Sequence, residues 1–346
     1  MKPILLRLSI VVVALILVVS IYGVAPIRFF SFNFFQKVNA SLFYTFKVYD
    51  KVDDQIILLN TGTKSIEEII AYIELLKKHN PKVIGVNLCN HATGTESTKS
   101  QYKTDTDVVF ANCEKINHTL SRIINEDNSA THFQSDNYQS FERKVLNNTK
   151  TTNAKVERIN YSKGGFYKYE LDSTEFIFDI FPNSIILLGY LGDYLNEVDP
   201  FDTQSELRYF TSARITPLNK YFSLEDVSPD MYDVEISAHI ISSLLNQDFI
   251  KDIPKWQSIG ILFLFILFQT LVMSLVQNKN ILMSIGVGLL SYFLIKMAGS
   301  FLIVYLFTEG YYLQLDELML LLVIVIVFNL GFNVFRKTSK TPTPSS

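Results

Sequence analysis

The sequence has little of what most catalytic or metal chemistry requires. It holds 2 cysteines, 5 histidines and 1 tryptophan among 346 residues. No nucleophile elbow, zinc-helix motif, phosphate loop or dinucleotide fingerprint occurs. The histidines (His79, His91, His118, His132 and His239) are scattered, and His91 near Cys89 is the single close His/Cys pair. A structural metal site takes four ligands at fixed spacing, so neither a metal nor a cofactor is expected. Charge of one sign is not in excess either. With 31 basic and 34 acidic residues the net charge is −3, which leaves no basic field for nucleic acid. Internal repeats are missing, as is low complexity outside the short tail RKTSKTPTPSS.

Apolar residues are what the chain has in plenty: 48% are hydrophobic and the mean hydropathy is +0.20. The surplus sits at the two ends. Leu8–Val24 is an apolar run preceded by Lys2 and Arg7, long enough to cross a bilayer with its flanks. A signal peptide has a shorter core and a small-residue exit. Here the one candidate exit, Gly23-Val24-Ala25, is followed by Pro26, so an uncleaved anchor is the better reading. Trp256–Val276, Ile281–Phe307 and Leu318–Val334 are three further runs, the first opened by a tryptophan suited to the headgroup level. If the four spans alternate, Lys2, Arg7, Lys279, Arg336, Lys337 and Lys340 all flank one side. The opposite short loop carries Glu309, Asp316 and Glu317. The positive-inside bias then puts both termini in the cytoplasm and the bulk of the chain outside it. The expected layout is an anchor over 1–27, an extracytoplasmic domain over 28–254, a three-helix membrane region over 255–335 and a short cytoplasmic tail over 336–346. This describes a multi-pass protein of the bacterial inner (plasma) membrane with its main domain periplasmic, the lipid bilayer being its first partner.

The domain between the spans reads as α/β. Asp54–Asn60 is a strand bounded by Asp53 and the turn Thr61-Gly62-Thr63. Ser65 and Glu68 form a capping box ahead of a helix whose Ile66, Ile69, Ile70, Ile73 and Leu76 share one face. Asn80-Pro81 stops it, and Lys82–Cys89 is a second strand. Strand, helix and strand so close together make a βαβ unit with two parallel, central strands. A helix is expected from about Asp105 and a short strand near Leu120–Ile124. Lys155–Tyr161 and Phe166–Leu171, separated by Ser162-Lys163-Gly164-Gly165, read as a hairpin. Ser184–Tyr190 is the clearest late strand, and Asp233–Gln247 the late helix.

Three residues stand out chemically. Cys89 and Cys113 both fall outside the cytoplasm in this layout, where a disulfide can persist; a bond and two buried free thiols both remain open. Lys296 lies inside the third span, where an ammonium is costly unless it pairs or snorkels. It is either a functional intramembrane residue or a snorkelling lysine on a tilted helix.

Several words of the sequence, taken in order and with this layout, resemble the type-two CHASE (cyclase/histidine-kinase-associated sensory extracellular) domain family. Pro81-Lys82-Val83-Ile84-Gly85-Val86 resembles that family's second-strand signature, with Asn87 where an Asp usually follows. Arg158-Ile159-Asn160-Tyr161 is similar to its "INY" strand and Leu188-Gly189-Tyr190-Leu191-Gly192 to its "GYLG" strand end. Thr216-Pro217-Leu218-Asn219 and Ser228-Pro229-Asp230-Met231-Tyr232 resemble its "TPLN" and "PDMYG" segments. Asp233 stands where the family has Gly, Ser237 aligns with its helix His, and the middle, about 90–155, is shortened. The resemblance covers nearly the whole chain and implies a stimulus receiver, here in a short form without a cytoplasmic effector of its own.

The resulting expectation is a non-catalytic extracytoplasmic sensory membrane protein that signals through a separate membrane or cytoplasmic effector, with an unknown small ligand or envelope protein outside. Homo-oligomerisation is left open. Open α/β sheets bind ligands at the carboxy ends of their strands, which nominates Asn60, Thr61, Asn87 and Asn90. The resemblance adds Thr216, Pro217, Asn219, Pro229, Asp230 and Tyr232. One rival is a structural or assembly subunit of an envelope complex. Another is an extracytoplasmic hydrolase, which would need groups such as Asp105 or Asp107 to converge with His118.

Overall fold

Alternation along one strand decides how the central sheet is clad. In β1 (Asp53–Asn60), Ile56 and Leu58 point into one apolar core while Ile57 and Leu59 point into another. A strand buried on both faces belongs in the middle of a three-layer α/β sandwich. The computed structural model describes residues 52–89, 107–111, 122–124, 130–133, 140–146, 156–161, 165–176, 178–195, 202–219, 228–276 and 281–313, with Val327 and Gly331. These fall into two compact units that divide between Lys251 and Asp252.

In the first unit β1 leads into α1 (Ile66–Lys77), whose start follows its sequence: the Ser65 hydroxyl accepts from the Glu68 N–H, and the Glu68 carboxylate accepts from the Ser65 N–H at 2.8 Å. Ile69, Ile73 and Leu76 of α1 cover one face of the sheet. β2 (Val83–Asn87), β3 (Val108–Phe110), β7 (Phe166–Glu170) and β8 (Ile185–Gly189) complete the sheet, all parallel, in the order β3-β2-β8-β1-β7. The opposite face is covered by α2 (Phe141–Val145) and α4 (Asp233–Asn246). A smaller antiparallel sheet joins β4 (Arg122–Ile124), β5 (Ala130–Phe133) and β6 (Glu157–Arg158). Between β8 and α4 run α3 (Thr203–Ser212), β9 (Ala213–Arg214) and β10 (Met231–Tyr232), the last two pairing antiparallel.

The βαβ unit is present, but β8 lies between its two strands. Two local readings are corrected. Where a helix was expected from Asp105, Val108–Phe110 adds to β2 as an edge strand; β-branched and aromatic side chains suit that half-buried position. The expected hairpin does not form, because β7 runs parallel to β1 while β6 pairs with β5. The Gly-containing turn separates two sheets rather than joining two neighbours.

The second unit holds α5 (Lys255–Leu275) and α6 (Ile281–Thr308), which pack on each other. Two helices among the described residues, Trp256–Leu275 and Leu282–Thr308, are long and apolar enough to cross a membrane. The other two expected spans, Leu8–Val24 and Leu318–Val334, fall outside the described residues apart from Val327 and Gly331. α5 buries Ser258, Leu262, Ile266, Gln269, Thr270, Met273 and Val276 along one stripe; α6 buries Ser284, Gly288, Ser291, Ile295, Gly299, Ile303 and Phe307. Small residues on α6 let backbones approach, as packing without a hydrophobic drive requires.

Candidate functional site

Parallel pairing in register brings the strand ends to one level. Glu170, Asn60, Gly189 and Asn87 stand side by side at the carboxy edge of β7, β1, β8 and β2. Asn60 is fully occupied there. Its Nδ2 donates to both Glu170 carboxylate oxygens at 3.1–3.2 Å and to the Gly192 carbonyl at 3.0 Å. Its Oδ1 accepts from the N–H groups of Gly62 and Leu191 at 3.0 and 2.8 Å. A side-chain amide offers little beyond these bonds, so Asn60 is a clasp between strand ends and not a free ligand contact. Gly62 takes φ +52°, the left-handed region this turn needs, with the Asp193 carbonyl 2.9 Å from where a Cβ would sit. Thr61 is buried, its N–H bonded to the Gly189 carbonyl at 2.9 Å and its hydroxyl without a partner among the described residues.

On the β8 strand end, Gly189 allows the first turn of α4 to approach the sheet. A Cβ there would lie 2.8 Å from Val234 Cβ. Beside this contact opens a cleft of about 280 Å³ lined by Asn87, Cys89, Tyr190, the α3 face from Gln204 to Ser212, and Asp233 and Val234. It lies at the carboxy edge of the parallel strands, where ligands of open α/β sheets bind, and near the lower end of the usual size for small-molecule pockets.

Ion pairs frame the cleft. α3 begins at Asp202, whose carboxylate accepts from the Gln204 N–H at 2.9 Å. One turn on, Arg208 reaches Asp193 at 2.9 Å and Asp202 at 3.7 Å. Burial alone would raise the Asp193 carboxyl, but hydrogen bonds from Ser205 and Tyr190, with the Arg208 charge, hold it below the usual range. Burial pushes the Tyr190 hydroxyl up, so it stays protonated and donates to Asp193 at 3.0 Å. On the other wall Arg214 pairs with Asp233 at 3.3 Å and donates to the carbonyls of Ala213 and Thr211. Asp233 therefore holds β9 to the start of α4. Tyr190, Tyr209 and Tyr232 pack edge to face behind the cleft.

The two segments nominated by resemblance meet each other. Asp230 accepts from the Thr216 N–H at 2.6 Å and hydroxyl at 2.7 Å. Asn219 donates to the Ser228 carbonyl at 3.1 Å, Tyr209 donates to the Pro229 carbonyl, and Pro217 is buried. Thr216, Pro217, Asn219, Pro229 and Asp230 form one closed clasp around β9 and β10, and Tyr232 belongs to the tyrosine cluster. Of the ligand contacts nominated from sequence, Asn87 alone lines the cleft, its Oδ1 accepting from the N–H of Cys89, the disulfide candidate, which lines it too. Tyr190, Gln204, Arg208 and Asp233 were missed. The "GYLG" word did contain Tyr190, and a capping Asp202 ahead of a helix was a readable signal. Cys89 is engaged in a disulfide; Cys113, the other cysteine of the sequence, lies outside the described residues, as do Asn90, Asp105 and His118. Among the described residues no group of three or more His, Cys, Asp or Glu side chains could hold a metal ion.

Compared with family models, curated proteins and solved structures, the chain matches none of them. The cleft and its ion pairs, rather than kinship, therefore have to carry any functional conclusion.

Proposed function

We propose that this chain is a non-catalytic extracytoplasmic receiver of the bacterial inner membrane, spanning the bilayer four times with both termini in the cytoplasm. It binds a small polar ligand in the cleft between the β2 and β8 strand ends, α3 and the start of α4, and acts through a separate effector. The supporting observation is that cleft: neutral overall, with Arg208 and Asp233 already held by their own ion pairs and Tyr190, Gln204 and Asn87 between them. Such a lining favours an uncharged or zwitterionic polar molecule, because an added net charge would compete with existing pairs. The resemblance to a sensory family points the same way. A ligand there can signal only by binding one arrangement of the protein better than another.

A second reading has its own support. The clasps at Asn60 and at Thr216–Asp230 use up polar groups within the fold, as a rigid assembly subunit would. Thermal unfolding of the purified full chain in gentle detergent against zwitterionic amino acids, neutral sugars and N-acetylated amino sugars separates the two. The receiver reading expects one compound to raise the midpoint of the wild type and not of Arg208→Ala; saturation at a hundred times Kd gives about 2.7 kcal/mol. No shift with any compound, together with a constitutive co-purifying envelope protein, replaces it with the assembly role.

A further inference from the structure

Lys296 is at once deep in the second unit, exposed and unpaired. Its depth follows from contacts at both ends of the helix pair. At one end the Ser284 hydroxyl donates to the Val276 carbonyl, which levels the start of α6 with the end of α5. At the other the Ile253 N–H donates to the Tyr312 carbonyl at 2.9 Å, which levels the start of α5 with the end of α6. Lys296 stands twelve residues from Ser284 and twelve from Thr308, about 18 Å from each at helical rise. The hydrocarbon core is about 30 Å thick, so its Cα sits near the midplane. A stem of four methylenes is too short to bring the ammonium to either headgroup layer from there.

The side chain does not turn inward for help. α6 uses Ser284, Gly288, Ser291, Ile295 and Gly299 for its buried stripe, whereas Leu289, Phe293, Lys296 and Ser300 share an exposed face at spacings of four, three and four. Lys296 has no hydrogen-bond or ion-pair partner among the described residues. Leaving an unpaired cation at this depth is costly. The four long apolar runs of the sequence, Leu8–Val24, Trp256–Val276, Ile281–Phe307 and Leu318–Val334, hold no Asp or Glu. A second copy thus has no carboxylate to offer at mid-depth.

We infer that α6 docks, through the face bearing Leu289, Phe293, Lys296 and Ser300, on a membrane helix of a different protein that presents an Asp or Glu near the bilayer midplane. Ser300, one turn from the lysine, lets the partner backbone come close. This deepens the proposed reading by giving the separate effector a contact. It rests on α5 and α6 crossing the bilayer, and not on the cleft holding a ligand.

The test is photocrosslinking of the full chain in native membranes, with Phe293→benzoylphenylalanine, followed by mass spectrometry of the adduct. The expected product joins position 293 to a span of another membrane protein that contains Asp or Glu. In Lys296→Leu the yield falls at least tenfold at unchanged protein level, and Lys296→Arg retains it. Lys296→Glu loses the adduct and regains it when the partner's carboxylate is changed to Lys. Adducts to lipid alone, adducts to a second copy alone, or a yield indifferent to Lys296→Leu would each overturn the inference. A ligand screen that fails while this adduct forms removes the cleft and leaves the contact standing.

Discussion

His239 shows what burial does to one titratable side chain. It lies in α4 with its ring edge-on to Tyr161 and Phe166, centroids 5.3 and 4.8 Å away, and its Nδ1 has no hydrogen-bond partner among the described residues. Burial, with the nearby Lys168 charge, depresses its pKa to about 3. The unfolded chain holds the ordinary histidine value near 6.5, so below that value the unfolded state binds more protons than the fold. Stability from this residue is complete above about pH 6.5 and is lost as pH falls towards 3. Acidification from pH 7 to 5 should cost on the order of 2 kcal/mol through His239. We expect the thermal midpoint of His239→Leu, in the same detergent, to fall clearly less over that interval; an equal fall would show that other groups set the acid response.

At the scale of elements, two contacts decide geometry. Gly189 exists so that α4 can start against the end of β8. Gly189→Ala should push Val234 and the first turn of α4 away, destabilising by about 1–3 kcal/mol as overpacking does. Val234→Ala in the same chain should recover part of that loss, because it removes the two γ-carbons at 3.1 and 3.2 Å but keeps the Cβ at 2.8 Å, a coupling readable in a double-mutant cycle. In the helix pair Gln269 is wholly buried, and neither end of its amide is bonded among the described residues. Gln269→Leu should raise resistance to thermal unfolding by on the order of 1 kcal/mol, and a loss of stability would mean that the amide meets a partner not seen here. The elements with dense apolar runs, β1, α1, β2, β8 and α4, were legible in the sequence because burial on a full face leaves a period. β3 was not, because a three-residue edge segment carries too few positions to show one, while β6 and β7 were legible as strands within 155–161 and 166–171 but not in their pairing, which local sequence does not encode. The site was hidden for a different reason. Arg208 and Gln204 sit on the polar helix α3, and only packing carries that helix to the strand ends.

For the whole molecule, strand order matters more than strand content. Residues 53–87 supply β1 and β2, yet the place between them is filled by a strand about a hundred residues later, with Ile56 pairing with Ile185 and Val83 pairing with the same Ile185 from the other side. Local reading sees neighbours in sequence and cannot see that insertion. Sheets closed by such distant pairings form slowly, because a long loop must be ordered before any contact rewards it. β8 pairs with β1 on one side and β2 on the other, so the central sheet cannot close before Ser184–Gly189 has been made. A domain built this way completes its central sheet only late in its own synthesis. The late strand is thus a keystone: a chain cut short before β8 has both neighbours and no centre.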